Sequence, residues 1–140
     1  MKRTAFAIWN GGIKDGKGTL STESGALSNL PYSFSMRFEG EPGTNPEELI
    51  AAAHAGCFTM DLSGRLGRSN MTAEKLHTTA MLTMDKGDKG FSVSAIHLEV
   101  VAKIPNADAE AFQAAVTKAK EGCPISRLLN THITVSARLE

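Results

Sequence analysis

Short segments that alternate apolar and polar residues fill the first third of the chain. Residues 4–9 are rich in β-forming side chains, and residues 19–22 follow a turn that contains two glycines. Residues 33–39 alternate almost strictly, with phenylalanine or methionine at the even positions and polar side chains at the odd ones. Successive side chains of a strand point to opposite faces, so the pattern predicts three strands, the third of them half buried.

A long helix is predicted to follow these strands. Asn45 is a good N-cap and Pro46 suits the first helical position. Glu47 and Glu48 then place negative charge where the helix dipole favours it. From residue 49 to residue 60, small and apolar side chains cover nearly all sides of the helix. A helix that is apolar all round is a buried one, so we expect it to pass through the middle of the protein.

The remaining residues predict a hairpin, two helices and a last strand. Two long strand-like segments are joined by a turn whose glycines favour a hairpin, and Gly122 is expected to cap the helix that follows. The order βββ-α-ββ-αα-β indicates a single α+β domain over residues 1–140, with mostly antiparallel strands. The predicted segments are strands at 76–84, 91–103 and 131–139, a helix at about 107–121 with Phe112, Ala115, Val116 and Ala119 on one face, and a short helix at 124–129.

Charge and hydropathy narrow the classes of function. The 140-residue chain carries 15 basic and 15 acidic residues and no block of like charge. Proteins that bind nucleic acid or membrane surfaces usually carry a basic patch, so we expect neither partner. The start of the chain is positive and then apolar, but the apolar run at residues 5–9 is too short for a secretion signal. No segment approaches the roughly 20 apolar residues that span a bilayer. We therefore expect a cytoplasmic protein.

Two cysteines are the first candidates for chemistry. Cys57 and Cys123 lie 66 positions apart (123 minus 57), and a cytosolic pair is not expected to form a permanent structural disulfide. Cys57 lies in the alanine-rich helix, where a cysteine is often an inert core residue. Cys123 stands between Gly122 and Pro124, either in a simple turn or as the N-cap of a helix whose dipole would favour a thiolate. Both interpretations stay open on the residues alone.

Other polar residues allow similar pairs of interpretation. Arg37 is either a solvated arginine paired with an acidic neighbour or a guanidinium that lowers a cysteine pKa. His54 lies three residues before Cys57 on the same helical face, either supporting a thiolate or remaining a neutral core histidine. A zinc site is a further alternative. Its ligands would be His54, Cys57, Cys123 and either His97 or His132.

Three segments closely resemble the OsmC/Ohr family, the osmotically inducible and organic-hydroperoxide-resistance proteins. Residues 35–58 contain the Asn-Pro-Glu-Glu-Leu helix start, a run of small residues and Cys-Phe ten positions after Glu47. Residues 122–126, Gly-Cys-Pro-Ile-Ser, resemble the family's second cysteine motif. Residues 21–25 resemble the OsmC branch. The resemblance extends over essentially the whole chain.

The resemblance implies a cysteine-based peroxidase for organic hydroperoxides, with hydrogen peroxide as a second candidate substrate. Cys57 would be the peroxidatic and Cys123 the resolving cysteine, Arg37 would activate the thiolate, and Glu47 would orient Arg37. An external dithiol, of lipoyl type in the family, would restore the thiols, and no cofactor or metal is required. The implied fold has antiparallel sheets wrapped around a long central buried helix in an intertwined homodimer. Candidate walls of a substrate pocket are Phe34, Met36, Phe58 and Met60, at least two of which we expect to be ordinary core residues instead.

One geometric problem supports the dimer. Ten residues of straight helix rise about 15 Å, so Glu47 cannot touch Cys57 on its own helix. Either Arg37 bridges the gap, or the groups come from two chains related by two-fold symmetry. Two other classes of function remain in view: a non-enzymatic ligand-binding stress protein with inert buried thiols, and a general thiol–disulfide oxidoreductase.

Overall fold

A computed structural model describes all residues, 1–140, as two compact units. The first unit comprises Met1–Leu49 and the second Ile50–Glu140. None of the helices combines the length and the hydropathy that a bilayer-spanning helix requires.

The first unit contains a three-stranded antiparallel sheet and a short helix. Its strands are β1 (Ala5–Asn10), β2 (Lys17–Thr22) and β3 (Leu30–Ser33), paired in the order β1-β2-β3, and its helix is α1 (Phe34–Phe38). Gly18 is paired with Trp9 on one side and with Tyr32 on the other. The two aromatic rings meet across it with their centroids 5.3 Å apart.

The strand predicted at 33–39 is wrong. Ser33 is the last residue of β3, and residues 34–38 form α1. Ser33 is the N-cap of α1, and its Oγ accepts a hydrogen bond from the Met36 backbone N–H at 3.2 Å. Phe34 and Phe38 are four residues apart, and their ring centroids lie 4.9 Å apart on one side of the helix. Four-residue spacing satisfies both a two-residue and a helical period, so a short run of this kind does not distinguish strand from helix.

The second unit contains a mixed sheet and most of the helical residues. Strands β4 (Lys75–Gly87) and β5 (Gly90–Lys103) pair antiparallel, as predicted, whereas β5 and β6 (His132–Leu139) are parallel. A parallel neighbour requires a crossover, and the two helices between β5 and β6 provide it. The elements are α2 (Pro46–Arg68), whose first turn lies in the first unit, β4 (Lys75–Gly87), β5 (Gly90–Lys103), α3 (Ala109–Gly122), α4 (Pro124–Leu128) and β6 (His132–Leu139).

The core of the second unit is built from one face of each element. Asp108 begins α3 as its N-cap, with its side chain accepting from the Ala111 backbone N–H at 2.7 Å. The predicted apolar face of α3 is confirmed as buried, and Gly122 is its last residue rather than its cap. The buried stripes are His54, Phe58, Leu62 and Leu66 on α2, Ile96, Leu98, Val100 and Ala102 on β5, and Phe112, Ala115, Val116 and Ala119 on α3.

The prediction that α2 is buried on all sides does not hold for the single chain. Its start is as predicted, with the Asn45 side chain accepting from the Glu48 backbone N–H at 2.8 Å. Ala52, Gly56 and Met60 lie on an exposed face opposite the buried stripe, and the Met60 residue is 78% exposed. Small side chains suit a surface as well as an interior, so their presence on all sides does not fix burial.

Candidate active site

The fold brings the two cysteines together. Cys57 lies in the middle of α2, and Cys123 lies between α3 and α4. Their Sγ atoms are 2.9 Å apart, and both thiols are free. A disulfide has an S–S distance of about 2.05 Å, so less than about 1 Å of approach would join them. Cys123 is fully buried, whereas Cys57 is partly exposed and open to a reactant.

The surroundings of Cys57 favour the protonated thiol. Burial raises the pKa of the Cys57 thiol above its ordinary value, and the hydrogen bond with Cys123 raises it further. Electrostatic interactions with Cys123 and Asp61 act on this pKa in the same direction. Only the backbone N–H of Ile125 lowers this pKa. A reactive thiolate at Cys57 therefore requires a positive charge from elsewhere.

Cys123 occupies the predicted N-cap position without capping the helix through its side chain. It precedes Pro124, the first residue of α4, and its Sγ makes no hydrogen bond to the helix. The thiol is instead directed at Cys57. Only the backbone of Cys123 contributes to the helix start, where its carbonyl accepts from the Arg127 N–H at 3.0 Å.

Arg37 and Glu47 form a second pair, within the first unit. The Arg37 Nε donates to both carboxylate oxygens of Glu47 at 3.1 Å, and Nη2 donates to Oε1 as well. Burial alone would raise the pKa of Glu47, but hydrogen bonds from Arg37 and from its own backbone, with the positive charge of Arg37, hold it below its usual value. Arg37 is thus paired with Glu47 rather than with a neighbouring surface acid, and its guanidinium also lies 4.9 Å from the centroid of the Phe38 ring.

An apolar cavity of about 230 Å³ opens beside Arg37 within the same unit. Of the predicted pocket walls, only Phe34 lines it. Phe58 is part of the core, Met60 is exposed, and Met36 packs near Gly43. The lining residues are Trp9, Ile13, Tyr32, Ser33, Phe34, Arg37, Phe38 and Pro46.

His54 is fully buried and bonded to a residue that the sequence analysis did not single out. Its Nε2 lies 2.7 Å from the Ser126 Oγ, and its Nδ1 has no partner. Burial lowers the pKa of His54, so the ring is neutral near pH 7. The structure therefore agrees with the neutral core histidine. The signal for Ser126 was its place in the second cysteine motif, three residues after Cys123.

The side chains considered as zinc ligands do not form a metal site. No group of three or more His, Cys, Asp or Glu side chains lies close enough together to hold a metal ion. His97 is instead bonded to two hydroxyls of β6, with Nδ1 2.6 Å from Thr134 Oγ1 and Nε2 3.0 Å from Ser136 Oγ. The predicted site residues thus form two pairs, the cysteines in the second unit and Arg37 with Glu47 in the first.

Comparisons with known sequences point to one family. A model of the family described as OsmC-like protein matches residues 38–138. A protein of Escherichia coli strain K12 named peroxiredoxin OsmC is 51% identical over 134 residues, covering 96% of this chain and 94% of its own. A Bacillus subtilis protein named organic hydroperoxide resistance protein OhrB is 28% identical over 124 residues, covering 88% and 89%.

Solved structures agree with these matches. An OsmC-like protein of unknown function from Vibrio cholerae superposes with a TM-score of 0.81 over 99% of both chains at 17% identity, which shows the α+β fold alone. The crystal structure of Bacillus subtilis OhrB gives a TM-score of 0.68 at 26% identity over 98% of both chains.

Proposed function

The chain belongs to the OsmC-like protein family, and on this premise we propose that it is a thiol-dependent peroxidase that reduces organic hydroperoxides to alcohols. The observation that carries the proposal is the contact between the Cys57 and Cys123 thiols, whose sulfurs are 2.9 Å apart although the residues lie 66 positions apart in the chain. The relative named as a peroxiredoxin and the relative named for organic hydroperoxide resistance support the same chemistry. Hydrogen peroxide is a second candidate substrate.

The first chemical step belongs to Cys57. Its thiolate attacks the terminal oxygen of the hydroperoxide, the O–O bond breaks, and the leaving alkoxide takes a proton to become an alcohol. Cys57 is oxidised to a sulfenic acid as the hydroperoxide is reduced. Because burial and its neighbours raise the Cys57 pKa, the step needs a cation that stabilises both the thiolate and the developing alkoxide.

Arg37 is the proposed source of that positive charge. Its guanidinium is already oriented by the bidentate contact with Glu47, so little conformational freedom is lost when it binds an anion. The apolar cavity beside it is the proposed site for the organic group of the substrate, because apolar walls next to one cation suit a molecule with an alkyl or aryl body and a polar end.

The second step forms the disulfide. The Cys123 sulfur attacks the Cys57 sulfenic acid, the S–O bond breaks, and the hydroxyl leaves with the Cys123 proton as water. An external dithiol, proposed to be of lipoyl type, then reduces the disulfide by exchange and is itself oxidised. Because Cys123 already contacts Cys57, the disulfide can form before a second hydroperoxide over-oxidises the sulfenic acid.

An intertwined homodimer is proposed to bring the two pairs of residues together. Within residues 1–49, only Gly16 and Gly18 are buried. A unit that buries so little of itself requires further cover to be stable. The β1 residues Phe6 and Ile8 are 57% and 58% exposed, and α2 has the exposed face that includes Met60. A second copy of the chain is the proposed cover for these apolar surfaces, with α2 then central to the dimer.

The proposal extends to domain organisation and location. The Escherichia coli relative matches 96% of this chain, across both units, which supports one OsmC-like domain over residues 1–140. A disulfide that must be reduced again after each turnover suits a reducing compartment, which supports the cytoplasm.

The experiment that tests the function is consumption of cumene hydroperoxide by the purified protein with dihydrolipoamide or dithiothreitol. Wild type should turn over and Cys57→Ser should not. With no dithiol present, Cys123→Ser should complete one reduction and then accumulate over-oxidised Cys57. Turnover in Cys57→Ser, or no turnover in wild type with either dithiol, would contradict the proposal.

The raised Cys57 pKa favours one rival, a ligand-binding stress protein with inert thiols. Alkylation separates the two functions. A peroxidase requires Cys57 in the native protein to react with iodoacetamide much faster than Cys123, whereas inert thiols would both react slowly.

A further inference from the structure

Two side-chain contacts join α2 to the segment formed by Cys123 and α4. One is the Cys57–Cys123 contact, and the other is the hydrogen bond between His54 and Ser126. His54 precedes Cys57 by three residues and Ser126 follows Cys123 by three, so each pair of residues lies on one side of its own element about one helical turn apart. The His54–Ser126 hydrogen bond thus lies about one helical turn from the cysteine pair and includes neither sulfur.

We propose that His54 and Ser126 are positioning residues for the resolving step, because their hydrogen bond holds α4, and with it Cys123, within reach of Cys57. The inference rests on the proposed peroxidase function and adds to it two residues that act through the position of Cys123. His54 and Ser126 are hydrogen-bonded to each other, and the bond includes neither sulfur, so we expect the first chemical step to depend on other groups.

The direction of the hydrogen bond follows from the buried ring. His54 is neutral, so one ring nitrogen carries the proton and the other only accepts. Nδ1 is fully enclosed and has no partner. A buried N–H without an acceptor is rarer than a buried acceptor without a donor, so we assign the proton to Nε2. His54 Nε2–H therefore donates to the Ser126 Oγ, and a substitution that removes this oxygen leaves a buried donor unpaired.

The short length of α4 explains why one hydrogen bond matters. A helix of five residues does not form by itself, and its position depends on the contacts it makes with the rest of the protein. Ile125 and Leu129 anchor one side of the segment in the core. Ser126 supplies a directional contact on the side that faces α2, next to the thiol that must attack. A displacement of about 1 Å is enough to slow a reaction between two positioned groups by up to about 100-fold.

The test separates the two steps in single-turnover experiments. Ser126→Ala should slow disulfide formation by about tenfold or more while the hydroperoxide-dependent formation of the sulfenic acid changes less than twofold. Mass spectrometry should find more sulfinic acid at Cys57 in Ser126→Ala at high hydroperoxide. Ser126→Thr, which keeps the acceptor oxygen, should restore the rate. Ser136→Ala is the matched control, because it removes a histidine–serine bond from β6 and should alter neither step.

A second arm does not depend on peroxide chemistry. In glutathione redox buffers, the effective concentration of Cys123 towards Cys57 should fall in Ser126→Ala by the same factor as the resolving rate. If wild type forms its disulfide in these buffers but never with hydroperoxide, the proposed function is wrong and the positioning role is judged by this arm alone.

Three outcomes would overturn the inference. The first is a resolving rate and an effective concentration in Ser126→Ala that both stay within twofold of wild type. The second is a slower disulfide formation in Ser126→Ala that Ser126→Thr does not reverse, which would indicate packing rather than the hydrogen bond. If Ser126→Ala does not fold, His54→Gln replaces it, since its amide supplies a donor near the position of Nε2. A resolving rate in His54→Gln no better than in His54→Leu would then be the overturning result.

Discussion

Cys57 depends on a positive charge that its immediate neighbours do not supply. Burial, Cys123 and Asp61 all raise its pKa, and one backbone N–H opposes them. In the proposed mechanism Arg37 supplies this positive charge, because a fixed guanidinium stabilises a thiolate that the surroundings of Cys57 disfavour. At the scale of single residues, the reactivity of the thiol and the orientation of the arginine are therefore separate properties that can be measured separately.

Replacing Arg37 with glutamine should lower kcat/KM for organic hydroperoxides by about 100-fold to 1,000-fold, the usual effect of removing one preorganised group that stabilises developing charge. The pH at which Cys57 becomes alkylated should also rise. Stopped-flow reduction and the pH dependence of alkylation measure these effects. Arg138→Gln, an exposed position on β6, is the control. An unchanged alkylation profile would show that Arg37 does not act on the thiol.

Replacing Glu47 with glutamine should have a smaller effect. The amide still accepts a hydrogen bond from Arg37 but offers only one oxygen and no charge, so the guanidinium is held less firmly. We expect about a tenfold loss in kcat/KM. Steady-state kinetics at pH 7 should show Glu47→Gln between wild type and Arg37→Gln.

The same pair of residues makes stability depend on pH. Because the Glu47 pKa is lowered in the folded chain, the pair stabilises the fold fully above the unfolded-state pKa of 4.5. This stabilisation is lost as the pH falls through the folded-state pKa.

His54 should make the protein less stable in mild acid. Its folded pKa is lowered by burial from an unfolded value of 6.5, so below that pH the unfolded chain binds the proton more readily. Stability is therefore full above pH 6.5 and falls as the pH drops, by at most about 1.4 kcal/mol per pH unit. Urea unfolding from pH 7.5 to pH 5 measures the slope. His54→Gln should reduce this slope, and an identical slope in the variant would assign the acid sensitivity to other groups.

At the scale of elements, the sheet of the first unit depends on a glycine in its central strand. A Cβ at Gly18 would stand 2.4 Å from the Tyr32 ring and 2.7 Å from the Ile8 carbonyl oxygen. Trp9 and Tyr32 would have to separate, and both line the cavity beside Arg37. Gly18→Ala should therefore destabilise the protein by about 1–3 kcal/mol and raise KM for bulky hydroperoxides more than for small ones. Thermal unfolding and a substrate series test this. Gly87→Ala, with no atom nearer than 3.9 Å, is the control.

The elements that local signals fully specify were predictable from the sequence. The start of α2 follows from Asn45 and Pro46, and the face of α3 follows from its helical spacing. The third strand was misplaced because the residue pattern at 33–39 fits a strand and a helix equally well until Ser33 caps the helix. The parallel pairing of β6 could not be inferred, because it depends on where α3 and α4 return the chain.

The candidate site shows the same division. The identities of Cys57, Cys123, Arg37 and Glu47 came from residue type and from resemblance to a family. Contacts between residues distant in the chain did not follow from the sequence. Ser126 meets a histidine 72 positions away, so only the folded structure pairs the two. The place of Trp9 and Tyr32 in the cavity wall does not follow from the sequence either, because the pairing of three strands brings the two residues together.

At the scale of the whole molecule, the exposed apolar residues of β1 predict an oligomer. The double variant Phe6→Glu/Ile8→Glu should be monomeric in analytical ultracentrifugation, because burial of two unpaired charges in the proposed interface has a large desolvation free energy. Peroxidase activity should fall with the dimer fraction if the dimer completes the site. Met81→Glu, on the exposed face of β4, should leave the dimer intact. A folded wild-type monomer with full activity would rule out the dimer as a requirement.

The separation of the two cysteines along the chain has a consequence beyond catalysis. A disulfide between Cys57 and Cys123 would close a loop of 66 residues. In the loop-entropy description, the lost chain entropy raises the free energy of the unfolded state by about 4 kcal/mol. The oxidised protein should then survive pulse proteolysis longer than the reduced one. Since proteases degrade the unfolded fraction, each molecule's lifetime in the cell would lengthen while oxidant is present and shorten once reductant returns. The abundance of the protein could thus follow recent oxidative exposure with no change in its synthesis.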